Sequence, residues 1–207
     1  MPNNADLFQN ESDYGDLDYS RAAAHLQEAL RFRTASYMDT SRMDYGEFDA
    51  FHDFLKKSYP HILAEGEWEE VGHSLLIRLP GSDPALKPAL FMAHQDVVPV
   101  IPGTEKDWLH DAYSGDLADG YIWGRGALDI KEMLIAIMES AEYLLSRGES
   151  FRRTVYLAFG EDEETLSYGA IHLCEVLQAR GVELEFVLDE GAGDVTDAAD
   201  YGAPGTL

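Results

Sequence analysis

Cysteine is almost absent from this sequence: Cys174 is the only one, so no disulfide can form within the chain. Its apolar neighbours in the segment AIHLCEVLQAR predict a buried and unreactive thiol. Long apolar runs are lacking as well, since none approaches the roughly 18 residues that a membrane span requires. The N-terminal segment has neither the basic start nor the apolar stretch of a secretory signal. From these absences we expect a soluble, cytoplasmic protein.

Basic residues are scarce too: 15 lysines and arginines stand against 39 aspartates and glutamates, a formal net charge of −24. Such a chain repels the phosphates of nucleic acids and of anionic lipids, which argues against both as partners. Most of these carboxylates are expected to form a solvated surface. Some could instead be ligands of a metal ion, whose charge would offset theirs.

Helical and strand patterns alternate along most of the chain. Apolar residues recur at helical spacing in four segments, 20–36, 46–60, 129–148 and 167–181. Apolar strands are predicted between them, at 74–79, 89–94, 154–160 and 183–188, with a hairpin around Asp119 and Gly120. Ser20 could cap the first helix and Pro60 could close the second. The alternation predicts an α/β fold, a three-layer sandwich with a mostly parallel sheet and helices on both faces.

Polar residues follow three of the predicted strands. His94 and Asp96 end the first, residues 161–164 (EDEE) end the second, and Asp189 and Glu190 end the third. Because the carboxyl ends of parallel strands meet at one edge of a sheet, we expect these groups to lie together. Asp129, at the start of a predicted helix, could join them.

Carboxylates gathered at a half-buried edge repel each other and require either protons or a cation. One imidazole with several carboxylates suits zinc, and also cobalt or manganese. His94 and Asp96 are two residues apart on a strand, so their side chains lean to the same side. His94 could therefore bind a metal while Asp96 orients it.

Each of these features has a simpler explanation when it is taken alone. His94 could be a hydrogen-bonded core histidine, Asp129 a helix cap, and Asp189 with Glu190 part of a turn. Glu163 and Glu164 could lie in a solvated loop. The recurrence of polar groups at three strand ends favours a shared site.

The segment WGRGALD nearly matches the dinucleotide fingerprint G-x-G-x-x-G, with Gly124 and Gly126 between a strand and a helix. Asp129 stands where the third glycine belongs, and its charge would repel a pyrophosphate. The sequence has no Walker A loop, no H-E-x-x-H and no G-x-S-x-G, so nucleotide, zincin and serine-hydrolase chemistry lack support.

Four segments, HQDVVPV, GRGALDIK, FGEDEE and VLDEG, resemble in order and spacing the zinc-dependent aminoacylase and carboxypeptidase S family of metallopeptidases. HQDVVPV is most similar to the carboxypeptidase S and N-acyl amino acid hydrolase branch. The resemblance covers about residues 20–195. It implies a phosphorylase/hydrolase-like catalytic domain that holds two zinc ions. It also implies hydrolysis of small peptides or N-acyl amino acids at a bond next to a free carboxylate.

The resemblance also implies a set of metal ligands. His94 resembles the ligand of one zinc ion, Asp129 the carboxylate that bridges both, and Glu164 a ligand of the other. Asp189 is our first choice for the fourth ligand, with Glu190 as the alternative because related motifs shift by a residue here.

Two further residues resemble catalytic groups of the family. Asp96 resembles the residue that orients His94, and Glu163 resembles the general base. The peptide bond after Asp129 is expected, by the same resemblance, to be cis.

The sequence departs from the family pattern in two places. Residues 165–168 (TLSY) replace the small, glycine-rich residues that usually follow the paired glutamates, and no histidine lies beyond His172 to act as the distal ligand. We therefore expect an acidic flexible arm over 1–18, the N-terminal part of a catalytic domain over 19–195, and the start of a truncated continuation over 196–207.

We expect this chain to end where a lid domain begins in the full-length form. That form could pair as a homodimer through the lid domain. The truncation should leave an exposed sheet edge, weak metal binding and little activity in this chain alone. The alternative is a non-catalytic module of the same fold that binds metal or dimerises.

Overall fold

The computed structural model describes residues 16–191. Its strands are β1 (Glu67–Val71), β2 (Ser74–Leu79), β3 (Ala89–His94), β4 (Asp116–Ala118), β5 (Tyr121–Trp123), β6 (Val155–Gly160) and β7 (Phe186–Leu188). Five of them form one sheet in the order β1–β2–β6–β3–β7, and β4 and β5 form a separate hairpin. Its helices are α1 (Tyr19–Ala29), α2 (Tyr45–Ser58), α3 (Pro60–Glu65), α4 (Lys131–Ser146) and α5 (Tyr168–Ala179). The predicted α/β architecture is confirmed.

Strand directions in the large sheet are mixed. β3 runs parallel to both β6 and β7, whereas β2 is antiparallel to both β1 and β6. Four strands therefore run one way and only β2 is reversed, so the expectation of a mostly parallel sheet holds with one exception. The cause is local: β1 and β2 are joined by a tight turn with Gly72 at φ +66°, and such a turn can connect only antiparallel strands.

Helices cover both faces of the sheet, as the three-layer prediction required. Alternate residues of β2 divide between the two sides, because successive side chains of a strand point to opposite faces. Leu75 and Ile77 belong to the core on the side of α2, α3 and α4. Leu76 packs with Leu173 and Leu177 of α5 on the other side.

Two helix boundaries differ from the sequence prediction. The first helix ends at Ala29 rather than Ser36, and Asp18, not Ser20, caps it by accepting a hydrogen bond from Arg21 N at 2.9 Å. Pro60 does not simply close α2; it is the first residue of α3, a position where a missing N–H has no cost. The shorter α1 frees the following residues to run beside the HQDVVPV segment, where Ala35 forms a parallel bridge with Val97.

The prediction of a buried Cys174 is wrong, because this side chain is exposed. α5 buries Leu173 and Leu177 against the sheet, and Cys174 lies one position around the helix from that stripe. The apolar residues near Cys174 reflect an exposed apolar surface that continues to β7. Phe186, Val187 and Leu188 are each about half exposed there.

The first fifteen residues of the expected arm and the expected continuation over 196–207 lie outside the described residues. Asp16, at the end of the arm segment, accepts a hydrogen bond from the Tyr143 hydroxyl at 2.5 Å. Within residues 16–191 no helix is long and apolar enough to cross a membrane.

Candidate metal centre

The carboxyl ends of three strands meet at one edge of the sheet. His94, the last residue of β3, is in register with Gly160, the last residue of β6, and Leu188 of β7 pairs with Phe91. The segments that follow these strands, together with the start of α4, therefore emerge side by side. This arrangement brings together the residues that the sequence predicted for a common site.

His94 lies at the centre of this cluster and is buried. Its Nδ1 faces two acceptors of Asp96, the backbone oxygen at 2.9 Å and Oδ1 at 3.3 Å. Nδ1 therefore carries a ring proton. Nε2 is left facing three carboxylates, with Asp129 Oδ1 at 3.1 Å, Glu163 Oε2 at 3.7 Å and Glu190 Oε1 at 3.9 Å.

Asp96 is fully buried and connects two parts of the cluster. Its Oδ1 accepts a hydrogen bond from Glu163 N at 3.0 Å, and its Oδ2 accepts one from Glu164 N at 3.1 Å. The same carboxylate thus fixes the His94 ring and the backbone that carries the two glutamates. The orienting role expected for Asp96 has a direct geometric basis here.

Asp129 reaches the cluster from a loop before α4. The peptide bond between Asp129 and Ile130 is cis, as expected. Gly126, three residues earlier, has φ +82°, and a Cβ there would lie 2.5 Å from Cγ1 of Val97. Glycine is therefore required for the loop to pack against the HQDVVPV segment. The cap suggested as a simpler explanation of Asp129 is absent, because α4 has no side-chain cap.

Three side chains could hold one metal ion together. One ligand atom each from His94, Asp129 and Glu190 lie within 4.8 Å of one another. Glu190, the alternative for the fourth ligand, is thus the one that joins this group. Asp189, our first choice, accepts a hydrogen bond from Glu190 N at 2.9 Å and lines a small cavity beside His94 and Glu163. The ligand roles of Asp189 and Glu164 stay predictions.

The charges in this cluster influence each other. Burial disfavours the imidazolium, but the hydrogen bond and charge of Asp96, together with Glu163, raise the pKa of His94 to about 9. Burial and the nearby Asp129 raise the pKa of Glu164. Burial also raises the pKa of Glu190, and Glu163 adds to that shift. Protons would therefore have to leave these groups when a cation binds.

Not every acid after β6 belongs to the cluster. Asp162 accepts hydrogen bonds from Tyr168 N at 3.0 Å and Gly169 N at 2.8 Å, so it caps α5 from the preceding loop. Glu161 contacts the Ser74 hydroxyl instead. The acidic run EDEE thus divides into two structural residues followed by two that lie at the site.

Sequence reasoning missed the residues that support the site. Gln95, between His94 and Asp96, is fully buried. Its Oε1 accepts a hydrogen bond from His52 Nε2 at 2.6 Å, and its Nε2 donates to the backbone oxygens of His73 at 3.1 Å and Phe159 at 2.9 Å. Thr34 donates to the Gln95 backbone oxygen at 2.7 Å. The signal available in the sequence was an uncharged polar residue directly after an apolar strand.

Lys131 is a second missed residue and is completely buried. Its Nζ donates to the backbone oxygens of Ala29 and Phe32, both at 2.9 Å, and lies 4.9 Å from the centre of the Phe51 ring. Burial lowers the pKa of Lys131 to about 7. The side chain ties the end of α1 to the segment that begins with Asp129.

The donor atoms present fit a divalent metal. Nε2 of the buried His94 faces the carboxylate oxygens of Asp129, Glu163 and Glu190. An imidazole with several carboxylates is a set that zinc, cobalt and manganese accept. Carboxylates with raised pKa values around one imidazole indicate a site in which a cation would relieve repulsion. Fold and cluster together define an α/β protein with a candidate metal centre at the carboxyl ends of its parallel strands.

Comparison with known proteins identifies the family. The sequence model of peptidase family M20/M25/M40 matches residues 90–202. The chain belongs to this metal-dependent family. The resemblance to carboxypeptidase S and N-acyl amino acid hydrolases is thereby confirmed.

Individual relatives agree with this assignment. The chain is 39% identical over 170 residues to N-fatty-acyl-amino acid synthase/hydrolase PM20D1 of Xenopus tropicalis, covering 80% of this chain and 32% of that protein. It is 36% identical over 195 residues to probable carboxypeptidase S-like 2 of Dictyostelium discoideum, and the match covers 92% of this chain and 36% of that protein. Human carnosine dipeptidase 1 shares the fold, with a TM-score of 0.67 and 20% identity, over 95% of this chain and 43% of that structure. The chain thus spans about a third of the length of these curated relatives.

Proposed function

We propose that this chain carries part of the active site of a two-zinc hydrolase. Its reaction would cleave peptide or N-acyl amide bonds next to a free carboxylate, in small peptides or N-acyl amino acids. His94, Asp129, Glu164 and either Glu190 or Asp189 would hold the metal ions, and cobalt or manganese could replace zinc. The family assignment and the names of its relatives support this reaction class.

Bound metal ions would supply a Lewis acid and a water whose pKa is lowered to about 7. Glu163 would remove a proton from that water and return it to the leaving amine. Its side chain is 46% exposed, so substrate can reach it, and its Oε2 lies 3.7 Å from His94 Nε2. Asp96 would hold the His94 ring and the backbone of Glu163 in place through its contacts with both.

The convergence of carboxylates from three separate segments on His94 Nε2 is the observation that carries this proposal. Asp129, Glu163 and Glu190 come from three different segments, yet each places a carboxylate oxygen within 3.9 Å of that nitrogen. A divalent cation at this position would relieve the repulsion between these carboxylates. The proposal also explains why Glu163 remains available beside Glu164.

A non-catalytic module is the second candidate. The three-residue group that could hold a metal in the described part of the chain contains one histidine only. The chain also covers only part of its relatives. We therefore propose that metal binding and turnover by this chain alone are weaker than those of a complete catalytic domain.

Hydrolysis by the zinc-loaded chain tests the proposal. The chain is incubated with a panel of N-acyl amino acids and dipeptides, and release of free amino acid is measured. Glu163→Gln should lower the rate at least about 100-fold, because a general base contributes that much, and should leave bound zinc unchanged. Glu161→Gln is the matched control, since Glu161 follows the same strand but contacts Ser74.

Two results would count against the proposal. Zinc binding without any hydrolysis would favour the non-catalytic module. Equal rates for Glu163→Gln and the wild-type chain would show that Glu163 is not the base.

A further inference from the structure

Three arginines stand apart from the others in the described part of the chain. Each of the remaining arginines forms an ion pair with a carboxylate. Arg33, Arg42 and Arg125 form none, although acidic residues greatly outnumber basic ones in this chain. Their side chains also make no hydrogen bond to another described residue, and Arg125 Nε is buried without a partner.

All three guanidinium groups instead stack on aromatic rings. The central carbon of Arg33 lies 5.0 Å from the centre of the Tyr113 ring, and that of Arg42 lies 4.1 Å from the Tyr37 ring. Arg125 lies 5.1 Å from the ring of Trp108. Stacking uses the faces of the guanidinium and leaves the N–H groups along its edges free to donate.

These aromatic rings surround one cavity of about 530 Å³. Arg33, Arg42, Tyr37, Trp108 and Tyr113 all line it. A cavity of this size accommodates a small organic molecule. The rings offer stacking surface and the guanidinium edges offer paired donors, which match the two oxygens of a carboxylate.

The same cavity is also lined by four acids, Asp44, Glu47, Glu105 and Asp111. Each accepts a hydrogen bond from a backbone N–H. Asp44, Glu47 and Asp111 each use a single oxygen for this contact and keep the other for a further donor. Because the acids outnumber the arginines, a purely anionic ligand would be repelled. A ligand that carries one positive and one negative group matches both halves of the lining.

We propose that this cavity binds a free α-amino acid with an aromatic or large apolar side chain. The carboxylate of the ligand would bind the guanidinium edges of Arg33 and Arg42, and its ammonium group would bind the free carboxylate oxygens. Its side chain would pack against Tyr37, Trp108 and Tyr113. The site contains none of the residues assigned to the metal centre, so the inference does not rest on the proposed hydrolysis.

Calorimetric titration of the chain with L-phenylalanine tests this site directly. The chain is first treated with a chelator, so that an amino acid cannot bind through a metal ion. Arg42→Gln and Arg33→Gln should each weaken binding about tenfold, the typical effect of losing one hydrogen bond to a charged group. Arg180→Gln is the matched control, because Arg180 is exposed and pairs with Glu69 on α5's side of the sheet. It should leave the affinity unchanged.

A ligand series on the wild-type chain gives a second measurement that does not depend on any variant folding. N-acetyl-L-phenylalanine lacks the ammonium group and phenylethylamine lacks the carboxylate, so both should bind at least about tenfold more weakly than phenylalanine. No binding of phenylalanine up to about 10 mM would overturn the proposal, since specific small-molecule sites bind more tightly than that. Binding that survives both arginine substitutions, or tighter binding of the N-acetyl compound, would also overturn it.

Discussion

The carboxylate of Asp96 lies 3.3 Å from Nδ1 of His94 and is completely buried. The same carboxylate accepts the backbone N–H groups of Glu163 and Glu164. It therefore sets the direction of His94 Nε2 and the position of the segment that bears the proposed base. The cluster at the sheet edge depends on this one buried group.

Asp96→Asn should weaken zinc binding about 10- to 100-fold, as is typical when a residue that orients a metal ligand is changed. The amide of asparagine retains one acceptor oxygen. Its N–H₂ group would face either a backbone N–H or His94 Nδ1, where the carboxylate of Asp96 accepts. The measurement is zinc affinity by titration calorimetry on the metal-free chain.

Asp162→Asn is the control for this prediction. Asp162 is also a buried carboxylate that accepts two backbone N–H groups, so its substitution should reduce stability without a comparable loss of zinc affinity. If both variants lost zinc equally, the effect of Asp96 would be general destabilisation.

Protonation of His94 should make the stability of the metal-free chain depend on pH. The folded state raises the pKa of His94 to about 9, above the value of about 6.5 for an unfolded chain. A raised pKa stabilises the folded state below pH about 6.5, and this contribution is lost as pH rises toward 9. The full contribution of His94 to the free energy of unfolding is about 3 kcal/mol.

The free energy of unfolding is measured in urea at pH 6.5 and at pH 9 for the wild type and for His94→Gln. Lys131, whose pKa burial lowers to about 7, acts in the opposite direction, so the comparison with the variant isolates His94. The wild type should lose more stability with rising pH than His94→Gln does. Identical pH slopes would contradict the assignment of a charged His94.

Gln95→Met should destabilise the chain by at least about 3 kcal/mol. Methionine fills a similar volume but leaves the partners of Gln95 on His52, His73 and Phe159 without hydrogen bonds, and each unsatisfied buried group costs about 1–3 kcal/mol. Urea denaturation gives the free energy of unfolding. Gln178→Met, at an exposed position of α5, should change it by less than about 0.5 kcal/mol.

Glu190→Gln and Asp189→Asn form a matched pair at the end of β7. Because Glu190 joins His94 and Asp129 within 4.8 Å, Glu190→Gln should reduce zinc affinity more strongly than Asp189→Asn does. Titration calorimetry on both variants measures the difference. The reverse order would assign the ligand role to Asp189, our first choice from the sequence.

The sequence predicted the α/β fold class and which residues lie together at the edge of the sheet, whereas the roles of those residues stay predictions. His94, Asp96, Glu163 and Asp129 belong to short motifs whose chemistry depends on local spacing, and the structure brings all four together. The α/β class followed from apolar strands that alternate with helices. Both signals are local in sequence, so they can be recognised without knowing any tertiary contact.

Other features depended on contacts that no local pattern encodes. β1 has the charged sequence EWEEV and becomes a strand by pairing with β2. The first helix stops at Ala29 because the next residues pair with the HQDVVPV segment and accept hydrogen bonds from Lys131. Cys174 is exposed because the stripe of α5 that meets the sheet is narrow. Gln95 and Lys131 hold neighbouring segments in place through hydrogen bonds to residues that are distant in the sequence.

Zinc titration of the metal-free wild type and of Asp129→Asn tests the central claim most directly. Asp119→Asn serves as the control, because Asp119 is an exposed hairpin residue at φ +54°, a conformation that asparagine also tolerates. We expect zinc to bind the wild type and Asp119→Asn alike, and to bind Asp129→Asn at least about tenfold more weakly. Zinc binding that is equal in all three chains, or absent from the wild type, would contradict a metal centre built on His94 and Asp129.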